Sequence, residues 1–259
     1  MPDSFYEILW IFFIYAVIGW CIEVAFVAVN RGVFVNRGFM NGPYCPIYGL
    51  GMLIVVTVLN PVKDSLLFLF LGSFILTTVL EYITGLILEK IFGNKWWNYS
   101  EMPFNIHGYV CLAFSILWGL GGVFVMRLVH PIIYRIVLWI PETIGCIFIT
   151  IFMIGFVVDL CVTVNTVLHF NKDLRLLDKI AENIHKLSDE LGENLFEKVS
   201  SVTNEEKIAE LKKLQEEYKQ ILEQKNFGFK RLVKAFPNLK TNKGKSLQQY
   251  KNILRRKQE

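Results

Sequence analysis

The chain has 259 residues, of which 53% are hydrophobic, 14% aromatic and 19% charged. A soluble globular domain carries about a quarter of its residues as charges, so this composition excludes one. The net charge of +4 averages two unlike halves: residues 1–170 hold 7 Lys and Arg against 9 Asp and Glu, residues 171–259 hold 20 against 14, and neither half reads as a nucleic-acid-binding surface.

Five apolar stretches approach the roughly 20 residues that cross a bilayer core: 5–29, 44–59, 66–91, 108–129 and 136–170. The first has no Lys or Arg before it, contains Glu7 and Glu23, and has no small-residue cleavage site after it, so it reads as a retained helix and not a signal peptide. The second is short and rich in Gly and Pro; the fifth exceeds what a membrane needs and is expected to continue past Asp159 into an aqueous tail. The pattern predicts an all-α, polytopic membrane helix bundle of about five transmembrane helices over 1–170, and a helical tail over 171–259. Arg31, Arg37, Lys90 and Lys95 share a face with the tail, against Lys63, Arg127 and Arg135 opposite, which places the tail in the cytoplasm of a multi-pass cell-membrane protein.

Sliding the membrane half by 66 residues sets Gly19, Glu23, Phe26, Gly42 and Cys45 on Gly85, Glu89, Phe92, Gly108 and Cys111. Both copies begin on odd-numbered helices, so a parallel repeat of two helix hairpins is expected. In the tail, apolar residues recur at helical spacing from Leu174 to Ile221, and Thr203 with Glu206 supplies a capping box, which predicts a helical hairpin of coiled-coil type. Residues 225–259 carry 11 basic residues and 1 acidic one, interleaved with Phe227, Phe229, Leu232, Val233 and Phe236, a composition suited to an anionic membrane surface.

Ionisable residues inside a bilayer are expensive and point to function. Here they are acidic: Glu23, Glu81, Glu89, Glu142 and Asp159. Tyr15, Gly19 and Glu23 recur every four residues on the first span, and Glu81, Gly85 and Glu89 do so on the third. Glycine one turn from a carboxylate lets a neighbouring backbone approach, so both stripes are expected to face the bundle interior and to form a substrate or ion path. Glu142 and Asp159 are read as interfacial. The loops at 34–51 and 96–107 add Asn36, Arg37, Tyr44, Cys45, Tyr48, Trp96, Trp97, Tyr99 and Asn105, which either line a pocket or anchor at the headgroups. His107 with Cys111, and Lys243-Gly-Lys-Ser246, lack the companions that a metal centre, a nucleophile or a phosphate loop needs, so no metal, cofactor or enzymatic activity is expected. Five cysteines at unrelated spacings do not make a disulfide scaffold.

The runs YAVIGWCIE (15–23), FVNRGFMNGPYCPIYGLG (34–51), LEYITGLILEKIF (80–92), WWNYS (96–100) and FNIHGYVCL (104–112) resemble the bacterial membrane-domain family of ABC-transporter permeases of type IV, over about residues 8–160. Asn98 and His107 depart from the pattern, where the family would have Asp and Asn. The resemblance implies a membrane permease or transporter subunit, working with a separate ATPase subunit or coupled to protons. The alternative is a non-transporting scaffold or regulator that recruits partners through its loops and tail. A bundle of five helices is small for a complete pathway, which suggests a homo-oligomer.

Overall fold

The computed structural model describes residues 2–196, 201–223, 231, 234–236 and 240–241. Helix α1 (Phe5–Arg31) starts at Ser4, whose hydroxyl accepts the Glu7 amide at 3.2 Å, and ends at Gly32, where φ of 67° lets the amide cap Ala28 O. Helix α2 (Pro46–Leu59) takes a proline at its first position and runs into a 3₁₀ turn at Asn60–Val62. Together they are about 27 Å long, close to the thickness of a hydrocarbon core. Helix α3 (Leu66–Phe92) ends at Gly93, again left-handed, with its amide on Glu89 O at 2.7 Å. A short antiparallel pair, Asn105–Ile106 with Val110–Cys111, leads into α4 (Leu112–Phe124), a π turn (Val125–Val129) and α5 (His130–Trp139). Helices α6 (Glu142–Phe196) and α7 (Ser201–Glu223) complete the order.

Four helices among the described residues are long and apolar enough to cross a membrane: Phe5–Arg31, Leu66–Phe92, Leu112–Trp139 and the first part of α6. The shorter Pro46–Val62 lies between them. Large apolar side chains stay exposed in rows at helical spacing, Ile75, Val79, Ile83, Ile87 and Ile91 on α3 and Ile147, Ile151, Ile154 and Val158 on α6. Such rows are incompatible with water and match lipid. The protein is an all-α, multi-pass membrane helix bundle.

The fourth and fifth spans differ from the sequence expectation. The break falls at Ile140–Pro141, not between 129 and 136. Pro131 lacks the N–H that an α-helix would use, and the π turn just before it absorbs the mismatch, so the helix continues to Trp139. Arg127 does not end the span either; its guanidinium reaches Asp64 O at 2.7 Å. Ile140 is extended, as a residue before proline tends to be, and that ends the helix.

The chain forms two compact units, residues 1–164 with Arg231–Lys240, and 165–230 with 241–259. In the first, α1 packs on α2, α2 on α3 and α3 on α4. Ile11 and Tyr15 meet Ile133 and Val137 in one core; Val55, Val56, Leu59, Leu69 and Met126 make another. Phe152 meets Trp10 edge-on and Phe13 at a tilt, and Phe156 meets Phe12 and Phe13 edge-on, so α6 interlocks with α1. In the second unit Val167, Phe170, Leu174, Leu177 and Ile180 form a buried stripe at i, i+3 and i+4 spacing. Lys207 Nζ lies 2.8 Å from Glu190 Oε2 and ties α7 to α6. Helix α7 begins at Ser201, two residues before the expected cap at Thr203. Phe227, Phe229, Leu232, Val233 and the Lys243 segment lie outside the described residues.

Candidate functional site: carboxylates beneath two loops

Gly19 sits one turn before Glu23 on α1, and any Cβ there would run into the Tyr48 ring. The missing side chain lets Tyr48 of α2 lie across α1, and its hydroxyl donates to Glu23 Oε1 at 2.6 Å. Arg37, from the loop between the two helices, completes the pair at 3.2 Å from Glu23 Oε2 and lies over the Phe26 ring at 5.2 Å. On α3 the arrangement recurs with other residues. A Cβ on Gly85 would come within 2.9 Å of Tyr109 Cδ1, and the Tyr109 hydroxyl donates to Glu89 Oε2 at 2.6 Å. Lys95 completes this pair at 3.5 Å from Glu89 Oε2 and 4.6 Å from the Tyr109 ring.

The two halves thus share one unit: a glycine, a carboxylate one turn later, a tyrosine over the glycine and a cation from the following loop. Helices α2 and α4 start from Cys45 and Cys111, which the 66-residue slide superposes, and both are buried N-cap residues. The slide does not superpose Tyr48 on Tyr109, nor Arg37 on Lys95. Each loop reaches its carboxylate by its own route.

Glu81 has no counterpart on α1, where the slide meets Tyr15. Tyr15 is buried and its hydroxyl is paired with His130 Nδ1 at 3.2 Å. Glu81 is 8% exposed and accepts from the Tyr99 hydroxyl at 3.3 Å through Oε1. Its Oε2 is buried and makes no close hydrogen bond among the described residues, although the Trp118 side chain is a second donor to the carboxylate beside Tyr99. Trp118 lies beside the carboxylate and edge-on to Tyr48, with ring centroids 5.5 Å apart. Burial, with the Glu81 charge beside it and Glu23 farther off, pushes the Tyr99 phenol up, so Tyr99 stays a protonated donor. Glu23 and Glu81 therefore share one aromatic-walled cluster, and Glu89 lies about 12 Å from Glu81 along α3.

The loop residues divide by task. Arg37, Tyr48 and Tyr99 touch the carboxylates, while Trp97 donates to Tyr109 O at 2.8 Å and backs Gly85. Asn36 accepts from Trp20 Nε1 at 2.8 Å and donates to Asn41 O at 2.7 Å, and Asn105 donates to Ser100 O and Met102 O; both build turns. Tyr44 packs on Phe13 and Phe156, and Trp96 on Phe39, Phe92 and Phe236. Cys45 donates its amide to Ala16 O at 2.9 Å, and burial, with the Glu23 charge adding to it, pushes its thiol up to about 12.

Five residues outside the sequence-derived set complete the geometry: Lys95, Tyr109, Trp118, Asp159 and Arg231. Asp159, expected at an interface, is half-buried and engaged by a loop: it accepts from Asn41 N at 3.1 Å, Asn41 Nδ2 at 2.9 Å and Gly42 N at 2.7 Å. Arg231, expected on a lipid surface, donates to Gly38 O at 2.8 Å, Phe39 O at 2.9 Å, Asn41 Oδ1 at 3.1 Å and Asn36 O at 3.5 Å. Carbonyls of an irregular loop need donors, and a planar guanidinium meets several at once. Tyr109 was detectable in principle, because a buried Gly85 stripe calls for a flat side chain over it; Asp159 and Arg231 carry no local sequence signal.

A family model described as "Putative ABC-transporter type IV" matches residues 10–164, more than half of the chain. No curated protein and no solved structure matches it.

Proposed function

Since the chain belongs to the putative ABC-transporter type IV family, we propose that it is the membrane-spanning permease component of a transporter, with a proton or cation bound at the Glu23–Glu81 cluster. The observation that carries this is the buried Glu81 carboxylate, which has no base beside it and whose Oε2 makes no close hydrogen bond among the described residues, set among Tyr48, Tyr99 and Trp118. A carboxylate oxygen left unpaired in an apolar bundle is costly unless a proton or a cation joins it. Glu23 and Glu89, each held by a tyrosine and a base, keep their charge balanced while Glu81 takes the ligand. Energy comes from a separate ATPase chain or from the proton itself, and the chain performs no covalent chemistry of its own. The positive-inside pattern sets both long loops and the tail in the cytoplasm, and self-association supplies a wider pathway than one small bundle.

The test compares wild type with Glu81→Gln in detergent and in vesicles. Wild type is expected to gain thermal stability with one class of small cation, or to respond to an imposed pH gradient, and Glu81→Gln to lose the response. Equal behaviour across sodium, potassium, small amines and pH gradients would defeat the reading. That result would favour the second reading, a membrane scaffold, which the helical arm of α6 and α7 supports because a bare conduit has no use for it. Orientation is checked with Glu101→Cys in a cysteine-free chain; an impermeant thiol reagent is expected to reach it only from the cytoplasmic side. Cys45 and Cys111 do not serve, being buried.

A further inference from the structure

The loop of the first hairpin is gripped from two sides by opposite charges. Asp159 takes its N–H groups at Asn41 and Gly42, and Arg231 takes its C=O groups at Asn36, Gly38 and Phe39. Two further residues of the same tail segment add apolar contact. Ala235 is fully buried against Val27 and Val35, and Phe236 stands edge-on to Trp96 at 5.1 Å. Between the grips lie Asn36, which also holds Trp20, and Arg37, which holds Glu23.

We propose that this loop face is a docking site for arginine and phenylalanine side chains, and that its occupant is the chain's own tail through Arg231, Ala235 and Phe236, acting as a detachable latch on the Arg37–Glu23 pair. The fit is specific. Four acceptors converge on one planar fork, a geometry that lysine cannot satisfy with a single ammonium. Among the described residues the contact rests on the Arg231, Ala235 and Phe236 side chains, few enough for a partner that binds the tail to lift them. Docked, the latch sets Asn36 and so the neighbouring Arg37; lifted, it releases Arg37 and leaves Glu23 with Tyr48 alone. The second hairpin has the same carboxylate unit; its cation, Lys95, is bonded within its own loop, through His107 O at 3.1 Å, and the Asn94–Lys95 strand that carries it pairs with the tail at Lys240. The Arg231 grip on loop carbonyls therefore falls on the first half. This inference does not rest on transport.

The two buried N-cap cysteines report on it. In a full-length chain with Cys21→Ser, Cys146→Ser and Cys161→Ser, Cys45 monitors the latched loop and Cys111 the other. Arg231→Ala is expected to speed maleimide modification of Cys45 by about tenfold through local opening, without changing Cys111. Phe236→Ala is expected to speed Cys45 as well, with a smaller change at Cys111 because its ring packs on Trp96 of the second loop, Arg231→Lys to fall between wild type and Arg231→Ala, and Lys234→Ala, an exposed neighbour, to do nothing. An unchanged Cys45 rate in both Arg231→Ala and Phe236→Ala would overturn the latch, as would equal acceleration at Cys45 and Cys111, which marks general loosening.

Discussion

The two hairpins solve the same problem with different amounts of help. In the second, the loop from Gly93 to Cys111 is organised mostly from within: Tyr99 N bonds Gly108 O at 2.8 Å, Trp97 caps Tyr109 O, Asn105 ties two carbonyls, and a short strand pair precedes α4, with the tail added at Asn94–Lys95 and Trp96. Left-handed backbone at Phe104, His107 and Gly108 folds it tightly. In the first, the loop from Gly32 to Cys45 has Asn36 as its internal brace and depends on Asp159 of α6 and on Arg231 for the rest. A carboxylate–tyrosine unit can thus be completed by a loop braced mostly by its own bonds or by one that depends on distant parts of the chain.

The comparison is open to attack at several points. The largest effect is expected at the glycines. Gly19→Ala drives a methyl into the Tyr48 ring and should cost about 2–3 kcal/mol of stability, whereas Gly85→Ala meets a looser contact and should cost about half that, read by thermal unfolding in detergent. If both substitutions are silent, the tyrosines do not lie where this structure has them. Next come the tyrosines: Tyr48→Phe and Tyr109→Phe each remove a hydrogen bond to a charged acceptor and should cost about 1.5 kcal/mol. Matching losses sharpen the equivalence of the two units; a gap wider than about 1 kcal/mol breaks it.

The cations should matter less. Arg37→Ala and Lys95→Ala remove partly exposed partners, worth about 0.5–1 kcal/mol each after solvent screening, and only Arg37→Ala is expected to erase the effect of Arg231→Ala on Cys45. The smallest effect is one of pH. Burial, then the Glu89 carboxylate, push the Tyr109 phenol from 10.0 up to about 12. Its proton is held more tightly in the folded chain than in the unfolded one. The matching stability is therefore whole below pH 10.0 and is lost as pH rises to about 12. Tyrosinate absorbance is expected to show several late-titrating phenols, one fewer in Tyr109→Phe.

Much of this architecture is legible in the sequence, because a bilayer demands apolar length and internally satisfied backbone, and both leave runs of residues that can be counted. The positions of α1, α2 and α3, the inward-facing glycine–carboxylate stripes and the 66-residue repeat are all local or periodic patterns. The boundary between the fourth and fifth spans was not legible in the same way. Pro131 and Pro141 look alike in sequence, and only the π turn before Pro131 distinguishes the proline a helix absorbs from the one that ends it.

What tertiary structure alone decided is which groups meet. The slide that pairs Glu23 with Glu89 says nothing of Tyr48 and Tyr109, since each hydroxyl arrives from its own register once two helices close over a glycine. Asp159 and Arg231 meet the first loop across separations of more than a hundred residues. Their partners are mostly backbone groups, whose hydrogen-bonding capacity is the same at every residue and so leaves no mark in composition or spacing. Periodicity specifies which face of a helix turns inward; only the folded chain specifies what waits there.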